Sequence, residues 1–205
     1  MNLNWANRIT ILRILLIVPF VSCMLKINAP AFDELSRHIF RYAAFTIFMA
    51  MAVSDAADGY LARRKGGITR LGSFLDPTAD KLLITSACLL LASRHTGIPG
   101  FNLPPTVVVL IIGKDILLLI GFVILYLITG QIRLEPVFMG KLATTLQLSM
   151  VAAILISPEI SRVIPPWIWF VRFLWWASAI SAIAATLVYI RNGNRYIEQY
   201  EESTE

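Results

Sequence analysis

Six apolar segments, each about 20 residues long, make up most of this chain. A helix of that length crosses the hydrocarbon core of a bilayer, and only helices satisfy their backbone polar groups within one segment in lipid. Hydrophobic residues account for 57% of the 205 residues and charged residues for only 15%, whereas soluble domains carry about 25% charged residues. The sequence therefore predicts an all-α, polytopic membrane protein, a single domain over 1–205 with six transmembrane helices at about 8–26, 38–56, 77–94, 104–128, 137–156 and 167–190.

Basic residues are divided unevenly between the two predicted sides of the membrane. One side carries eight of them and the other four, namely Arg8, Arg63, Arg64, Lys65, Arg70, Arg133, Arg191 and Arg195 against Lys26, Arg37, Arg94 and Arg162. The positive-inside rule then places both termini and the segment around residues 55–80 in the cytoplasm. A cytoplasmic membrane is the expected location. The first apolar segment contains Arg13 and precedes no clear cleavage site, so we predict a retained helix rather than a signal peptide.

The net charge of +5 does not indicate nucleic acid as a partner, because the basic residues are scattered along the chain. Their one cluster, at 63–70, suits anionic lipid headgroups or a phosphorylated substrate. Cys23 and Cys88 both lie in apolar runs and are interpreted as packing residues. His38 and His95 are predicted to be surface residues in outer loops. The sequence shows neither an internal repeat nor a low-complexity tract.

Four aspartates lie where the second predicted span ends and the third, starting at Pro77, begins. Asp55 and Asp58 are three positions apart and Asp76 and Asp80 four, so each pair lies on one face of its helix. Because the connecting loop is short, the two helices are antiparallel neighbours and their acids meet at one depth. Unpaired carboxylates at that distance would repel each other. Mg²⁺ or Mn²⁺ prefers carboxylate and phosphate oxygens, and two such ions can act on both sides of a displacement at phosphorus.

The residues between these aspartates fit a phosphate ligand. Gly59 and Gly72 let a phosphate approach the backbone. Arg63 offers a planar fork that suits a diphosphate. The alternative is that the acids are solvated and pair with the nearby basic residues. Two helical pairs of acids that flank a basic segment with two glycines favour the metal site.

The aspartates belong to the pattern Asp-x2-Asp-Gly-x2-Ala-Arg-x8-Gly-x3-Asp-x3-Asp over residues 55–80. This pattern resembles the signature of the CDP-alcohol phosphatidyltransferases. The stretch 7–13 with Pro19 is similar to the first helix of the glycerophosphate and cardiolipin branches of that family, and 140–147 is similar to their fifth helix. The resemblance thus covers most of the chain.

The resemblance implies a six-helix membrane bundle that forms a homodimer, a CDP-linked lipid such as CDP-diacylglycerol as donor, and release of CMP. The four aspartates Asp55, Asp58, Asp76 and Asp80 would hold two divalent cations, and Asp80 would also be the general base. The residues implied to shape the donor pocket are Gly59, Ala62, Arg63 and Gly72.

The acceptor alcohol, a lipid or a polyol phosphate, is harder to predict. The candidate residues are polar groups on the first, fourth and fifth helices: Asn7, Thr10, Arg13, Lys114, Lys141 and Thr144. We expect Lys114 and Asp115 to have separate partners, because adjacent residues on a helix do not face each other. Phosphatidylglycerophosphate synthases typically carry Arg-Glu at these two positions and a lysine at the position of Ala143. The stretch 133–141 is more similar to the CMP-forming cardiolipin synthases, so the sequence favours phosphatidylglycerol as acceptor, with glycerol 3-phosphate as the alternative and inositol phosphate or serine also open.

Two other classes of protein compete with this interpretation. Acids inside membranes also mark the cation pathways of transporters, but those acids lie near the midplane and often accompany inverted repeats. A non-catalytic family member would bind metal and nucleotide without turnover. All four aspartates are present, which favours the enzyme.

Overall fold

The computed structural model describes the backbone of residues 5–65, 70–129 and 138–202. Within these ranges, the side chains of 5–9, 56–65 and 70–77, and of several residues in 126–129 and 196–202, lie outside the description. This part of the chain consists of helices and contains no strand, which confirms the all-α prediction. The helices are α1 Trp5–Lys26, α2 Glu34–Lys65, α3 Arg70–Ala92, α4 Pro105–Thr129, α5 Phe138–Leu155, α6 Ser157–Val163 and α7 Trp167–Glu202.

Each predicted span falls on one of the long helices. Among the described residues, three segments are long and apolar enough to cross a membrane, Pro105–Leu125 in α4, Phe138–Leu155 in α5 and Trp167–Arg195 in α7. The crossing of the membrane by α1, α2 and α3 stays a prediction.

Both α2 and α3 extend past the predicted spans toward each other. The basic residues 63–65 belong to the last turn of α2 instead of a loop. The predicted start of the third helix at Pro77 was wrong, because α3 begins at Arg70. Leu71, Phe74 and Leu75 continue the helical spacing of apolar residues upstream of the proline. His38 also lies within α2 rather than in a loop.

The short helix α6 has no counterpart in the sequence prediction, because seven residues are too few for a membrane span. Pro158 lies in its first turn, where a missing backbone N–H costs no helical hydrogen bond. The Ser157 hydroxyl donates to the carbonyl oxygen of Ala153 at 2.6 Å and accepts from Trp167 Nε1 at 3.0 Å. These bonds connect the helix to its two neighbours in sequence.

The chain divides into two compact units. The first unit comprises Met1–Leu103 and Val151–Val171. In it, α1 packs against both α2 and α3. Phe20 of α1 and Phe48 of α2 are fully buried, and their ring centroids lie 5.9 Å apart. The packing of α1 against its two neighbours places Arg13 of α1 beside Asp55 of α2 and Asp80 of α3.

Polar contacts tie the first unit together where α2 begins. The Asp33 carboxylate accepts hydrogen bonds from the side chain and the backbone N–H of Ser36, which lower the pKa of Asp33. A carboxylate with a lowered pKa contributes stability at neutral pH and loses that contribution as the pH falls through its pKa. Two turns further along α2, Arg41 forms an ion pair with Glu159 of α6, whose Oε1 also accepts from the Tyr42 hydroxyl at 2.9 Å.

The second unit comprises Pro104–Met150 and Arg172–Glu205. Val107, Ile111, Ala143 and Ala182 are completely buried within the structure. Large apolar side chains are also exposed along its helices, among them Leu117, Leu127, Ile180 and Leu187. Exposed apolar surface of this extent is expected where helices face lipid.

Candidate active site

Arg13 of α1 is 2% exposed, although it carries a permanent positive charge. A buried guanidinium is tolerated only when carboxylates or other acceptors surround it. Its Nη1 donates to Asp55 Oδ1 at 2.7 Å and to Asp80 Oδ1 at 3.0 Å. One nitrogen atom of α1 therefore joins an acid of α2 to an acid of α3.

The two carboxylates are more accessible than the arginine that joins them. The side chain of Asp55 is 35% exposed and that of Asp80 is 29% exposed, against 1% for the side chain of Arg13. The guanidinium thus lies on the buried side of the pair and the carboxylates reach the surface. A ligand that approaches from outside meets carboxylate oxygen first.

The packing of small and apolar residues explains how three helices come this close. Ala79, which precedes Asp80, is fully buried, and Leu83 one turn later is 2% exposed. Thr10, one turn before Arg13, is 1% exposed. The predicted acceptor-binding residue Thr10 therefore offers almost no surface to a ligand in this structure.

The charges and donor atoms of Asp55 and Asp80 fit a hard divalent cation. The two carboxylates carry one negative charge each, and the arginine that joins them carries one positive charge. Mg²⁺ and Mn²⁺ take carboxylate oxygens as ligands. Among the side chains that the structure describes, no group of three or more His, Cys, Asp or Glu is arranged to hold a metal ion. Asp55 and Asp80 are thus the described part of the predicted metal site.

Several predicted site residues lie outside the described side chains. Their backbones are helical, with Asn7 in α1, Asp58, Gly59, Ala62 and Arg63 in α2, and Gly72 and Asp76 in α3. Asp58 follows Asp55 by one turn of α2, and Asp76 precedes Asp80 by one turn of α3.

The remaining acceptor-binding candidates belong to the second unit. Lys114 is 7% exposed, and its Nζ lies 3.1 Å from Asp115 Oδ1. The prediction that these neighbours have separate partners was wrong. Their Cα–Cβ bonds diverge on the helix, but the flexible four-carbon stem of lysine bends its ammonium group back to the next residue. Lys141 is exposed, and Thr144 donates to the carbonyl oxygen of Gly140 in its own helix at 3.1 Å.

Two further features of the second unit lie on α5: the surroundings of Gln147, a polar residue of the fifth helix that the sequence also offers for the acceptor pocket, and a packing contact at Gly140. The Gln147 side chain is 1% exposed, and its Nε2 has no hydrogen-bond partner among the described atoms. A Cβ atom at Gly140 would lie 2.9 Å from the Tyr189 hydroxyl, so the tyrosine packs directly over the glycine backbone. The contact joins residues 49 positions apart in sequence and has no signal in local spacing.

Comparison with known proteins gives consistent results. The family model described as CDP-alcohol phosphatidyltransferase matches residues 3–189. The chain is 32% identical over 160 residues to the CDP-diacylglycerol–glycerol-3-phosphate 3-phosphatidyltransferase of Bacillus subtilis (strain 168), covering 75% of this chain and 77% of that protein. The Pseudomonas fluorescens protein of the same name is 39% identical over 114 residues, 56% of this chain and 52% of that protein.

A relative with a different name matches more of the chain. The Drosophila melanogaster protein named "Probable cardiolipin synthase (CMP-forming)" is 27% identical over 203 residues, which cover 88% of this chain and 60% of that protein. The names of the first two relatives state glycerol 3-phosphate as a substrate, and the name of the third states cardiolipin as the product.

Proposed function

Since the chain belongs to the CDP-alcohol phosphatidyltransferase family, we propose that it transfers a phosphatidyl group from CDP-diacylglycerol to a glycerol-type acceptor and releases CMP. The structural observation that carries this proposal is the meeting of Asp55 and Asp80 on one nitrogen of Arg13. It brings acids of two helices to one accessible place, an arrangement that suits metal-assisted displacement at phosphorus.

The proposed step needs a base next to the attacking oxygen. An alcohol is a weak nucleophile until it loses its proton, and a positioned carboxylate can accept that proton. We assign this role to Asp80. The acceptor oxygen forms a bond to the phosphorus that bears diacylglycerol, the bond from this phosphorus to the bridging oxygen breaks, and CMP leaves with that oxygen.

We further propose that Asp55, Asp58, Asp76 and Asp80 hold two divalent cations, Mg²⁺ or Mn²⁺. When bound, these ions stabilise the negative charge of the phosphoryl group and of the departing CMP. The partial exposure of Asp55 and Asp80 supports the assignment, since their oxygens can be reached from outside. Gly59, Ala62, Arg63 and Gly72 are the proposed lining of the CDP pocket.

A membrane location suits both substrates. The acyl chains of the donor stay in lipid while its charged headgroup needs a polar site at the membrane surface. The three apolar helices support the proposal of an integral protein of the cytoplasmic membrane. We propose six crossings, with the active site and both termini on the cytoplasmic side, and a homodimer as the assembly.

Glycerol 3-phosphate is the first acceptor that we propose to test. Relatives from Bacillus subtilis and Pseudomonas fluorescens are named for it. Its phosphate is dianionic and needs a basic partner, and the exposed Lys141 is a candidate.

Phosphatidylglycerol is the second candidate acceptor. The stretch 133–141 favours it, and so does the match to the Drosophila protein, which spans more of this chain than the other two. Its phosphate is a diester with one negative charge and makes a smaller demand on basic residues than the dianion does.

A lipid-product assay tests the reaction and separates the acceptors. The detergent-purified protein is incubated with CDP-diacylglycerol, Mg²⁺ and one acceptor at a time, and the lipids are identified by mass spectrometry. Phosphatidylglycerophosphate or cardiolipin, formed with Mg²⁺ and absent with EDTA, would support the proposal and identify the acceptor. Bound Mg²⁺ and donor with no product from any glycerol-type acceptor would refute it and favour a non-catalytic family member.

A matched variant sharpens the choice of acceptor. The variant Lys141→Met removes a positive charge that would pair with the phosphate of a dianionic acceptor. KM for glycerol 3-phosphate should therefore rise more than KM for phosphatidylglycerol. Lys26→Met, in the last turn of α1, serves as the control for the loss of one lysine. Equal KM changes for both acceptors would exclude a phosphate-recognition role for Lys141.

A further inference from the structure

Arg13 is an acceptor-binding candidate by sequence, and its surroundings point to a different task. We propose that Arg13 is a positioning residue, whose buried guanidinium holds Asp55 and Asp80 in place for phosphatidyl transfer and does not touch the acceptor. This inference rests on the proposed function and assigns one residue of the same site.

The distribution of exposure separates the two roles. An acceptor phosphate would have to reach the N–H groups of Arg13, but that side chain is only 1% exposed. The two carboxylates that it binds are 35% and 29% exposed. A ligand can therefore contact Asp55 and Asp80 while Arg13 stays behind them.

Arg13 of α1 is hydrogen-bonded to both α2 and α3. Its partners lie 42 and 67 positions away in sequence, and its Nη1 donates to both of them. Hydrogen bonds between ionised groups are stronger and more directional than neutral ones. Because Arg13 Nη1 donates to both carboxylates, it restricts the movement of Asp55 on α2 relative to Asp80 on α3.

The charge of Arg13 also lowers the repulsion between the two acids. Adjacent carboxylates repel each other unless a positive charge lies between them. Arg13 supplies one such charge from the buried side of the two carboxylates. Arginine suits this place better than lysine because its planar fork is always charged and keeps a fixed direction.

The chain offers a matched control in the N-terminal part of α2, the helix that carries Asp55. Arg41 is also buried, at 7% exposure, and also pairs with a carboxylate, that of Glu159. It lies about 20 Å from Asp55 along α2, from the rise of 1.5 Å per residue. Arg41→Gln therefore removes a buried arginine from a carboxylate pair outside the proposed catalytic site.

The experiment compares full-length wild-type protein with Arg13→Gln, Arg13→Lys and Arg41→Gln. Steady-state CMP release is measured from CDP-diacylglycerol as the acceptor concentration varies. The midpoint of thermal unfolding is measured separately without substrate, in EDTA and again in Mg²⁺. The change in unfolding midpoint on adding Mg²⁺ reports on Asp55 and Asp80 independently of turnover.

For Arg13→Gln we expect kcat to fall about 100-fold, the loss that a displacement near 1 Å of a reacting group can cause. KM for the acceptor should stay close to the wild-type value. The rise in unfolding midpoint on adding Mg²⁺ should exceed that of wild type, because the cation then takes over the neutralisation of Asp55 and Asp80. Arg13→Lys keeps the positive charge but has a shorter side chain than arginine. Its kcat should therefore lie between those of wild type and Arg13→Gln.

Arg41→Gln should lower the unfolding midpoint in EDTA and leave both its Mg²⁺-induced rise and kcat near the wild-type values. A raised acceptor KM with kcat retained in Arg13→Gln would overturn the proposal in favour of an acceptor contact. A Mg²⁺-induced rise no larger than that of wild type would reduce Arg13 to a structural residue. If Arg13→Gln does not fold, the same KM and kcat criteria apply to Arg13→Lys.

Failure of the proposed function gives a different result. Wild-type protein that forms no CMP with any glycerol-type acceptor refutes phosphatidyl transfer, and with it the catalytic part of this inference. The Mg²⁺-induced rise of Arg13→Gln relative to wild type still decides whether Arg13 holds the two acids together.

Discussion

Arg13, Arg41 and Lys114 are each less than a tenth exposed, and each contacts a carboxylate. The need for a partner follows from the sequence, since a charge within an apolar helix must be paired. The identity of the partner does not follow, because Asp55, Asp80 and Glu159 lie 42, 67 and 118 positions from their arginines. For Lys114 the partner is the next residue, Asp115. The diverging Cα–Cβ bonds of adjacent helical residues argue against such a pair, but the flexible lysine side chain makes it possible.

The Lys114–Asp115 pair predicts a measurable loss of stability. Lys114→Met removes the lysine from a mostly buried carboxylate, which should lower the free energy of unfolding by about 3 kcal/mol. The double variant Lys114→Met, Asp115→Leu should recover most of that loss, because it removes the carboxylate as well. Unfolding of detergent-purified protein checks both. A single variant as stable as wild type, with a raised acceptor KM, would instead assign Lys114 to the acceptor pocket.

The helices themselves are well predicted by apolar length, and their ends are not. The apolar parts of α2 and α3 are visible in the sequence, but both helices continue through polar residues where hydropathy carries no signal. As a result, the aspartates lie within helices instead of at their ends. The spacing of Asp55 to Asp58 and of Asp76 to Asp80 predicts paired acids on each helix. The sequence does not predict that α1 packs against both α2 and α3.

Close contacts around Gly97, in the turn after α3, predict the outcome of a glycine substitution. A Cβ at Gly97 would lie 2.7 Å from the Ser93 carbonyl oxygen and 2.9 Å from that of Leu91, and would also overlap Asn102 Oδ1. The Gly97 carbonyl accepts from Asn28 Nδ2 at 2.7 Å, so this backbone cannot move freely. Gly97→Ala should therefore destabilise the protein by about 2 kcal/mol.

Gly113→Ala is the matched control, since a Cβ there meets no atom within 4 Å in the described structure. Alanine favours the helical backbone over glycine, so this variant should be as stable as wild type or more so by up to about 1 kcal/mol. Thermal unfolding of the two variants side by side is the measurement. Equal effects at the two positions would show that the contacts around Gly97 are not decisive.

For the whole molecule, the distribution of basic residues predicts the sidedness of the membrane protein. In a chain that lacks Cys23 and Cys88, His95→Cys and Arg191→Cys place thiols at two exposed positions on opposite predicted sides. A membrane-impermeant maleimide should label position 95 in intact cells and position 191 only after permeabilisation. Labelling of position 191 in intact cells would contradict a cytoplasmic C-terminus and a cytoplasmic active site.

Asp80 and its neighbours are the proposed catalytic centre of a phosphatidyltransferase. The most direct test is CMP release from CDP-diacylglycerol by wild-type protein and by Asp80→Asn in Mg²⁺, with the glycerol-type acceptor identified from the lipid products. Asparagine keeps an oxygen that can accept from Arg13 but cannot serve as the base, so CMP release should fall by about 10³-fold while the unfolding midpoint changes little. Undiminished CMP release by a folded Asp80→Asn protein would contradict the assignment of this site.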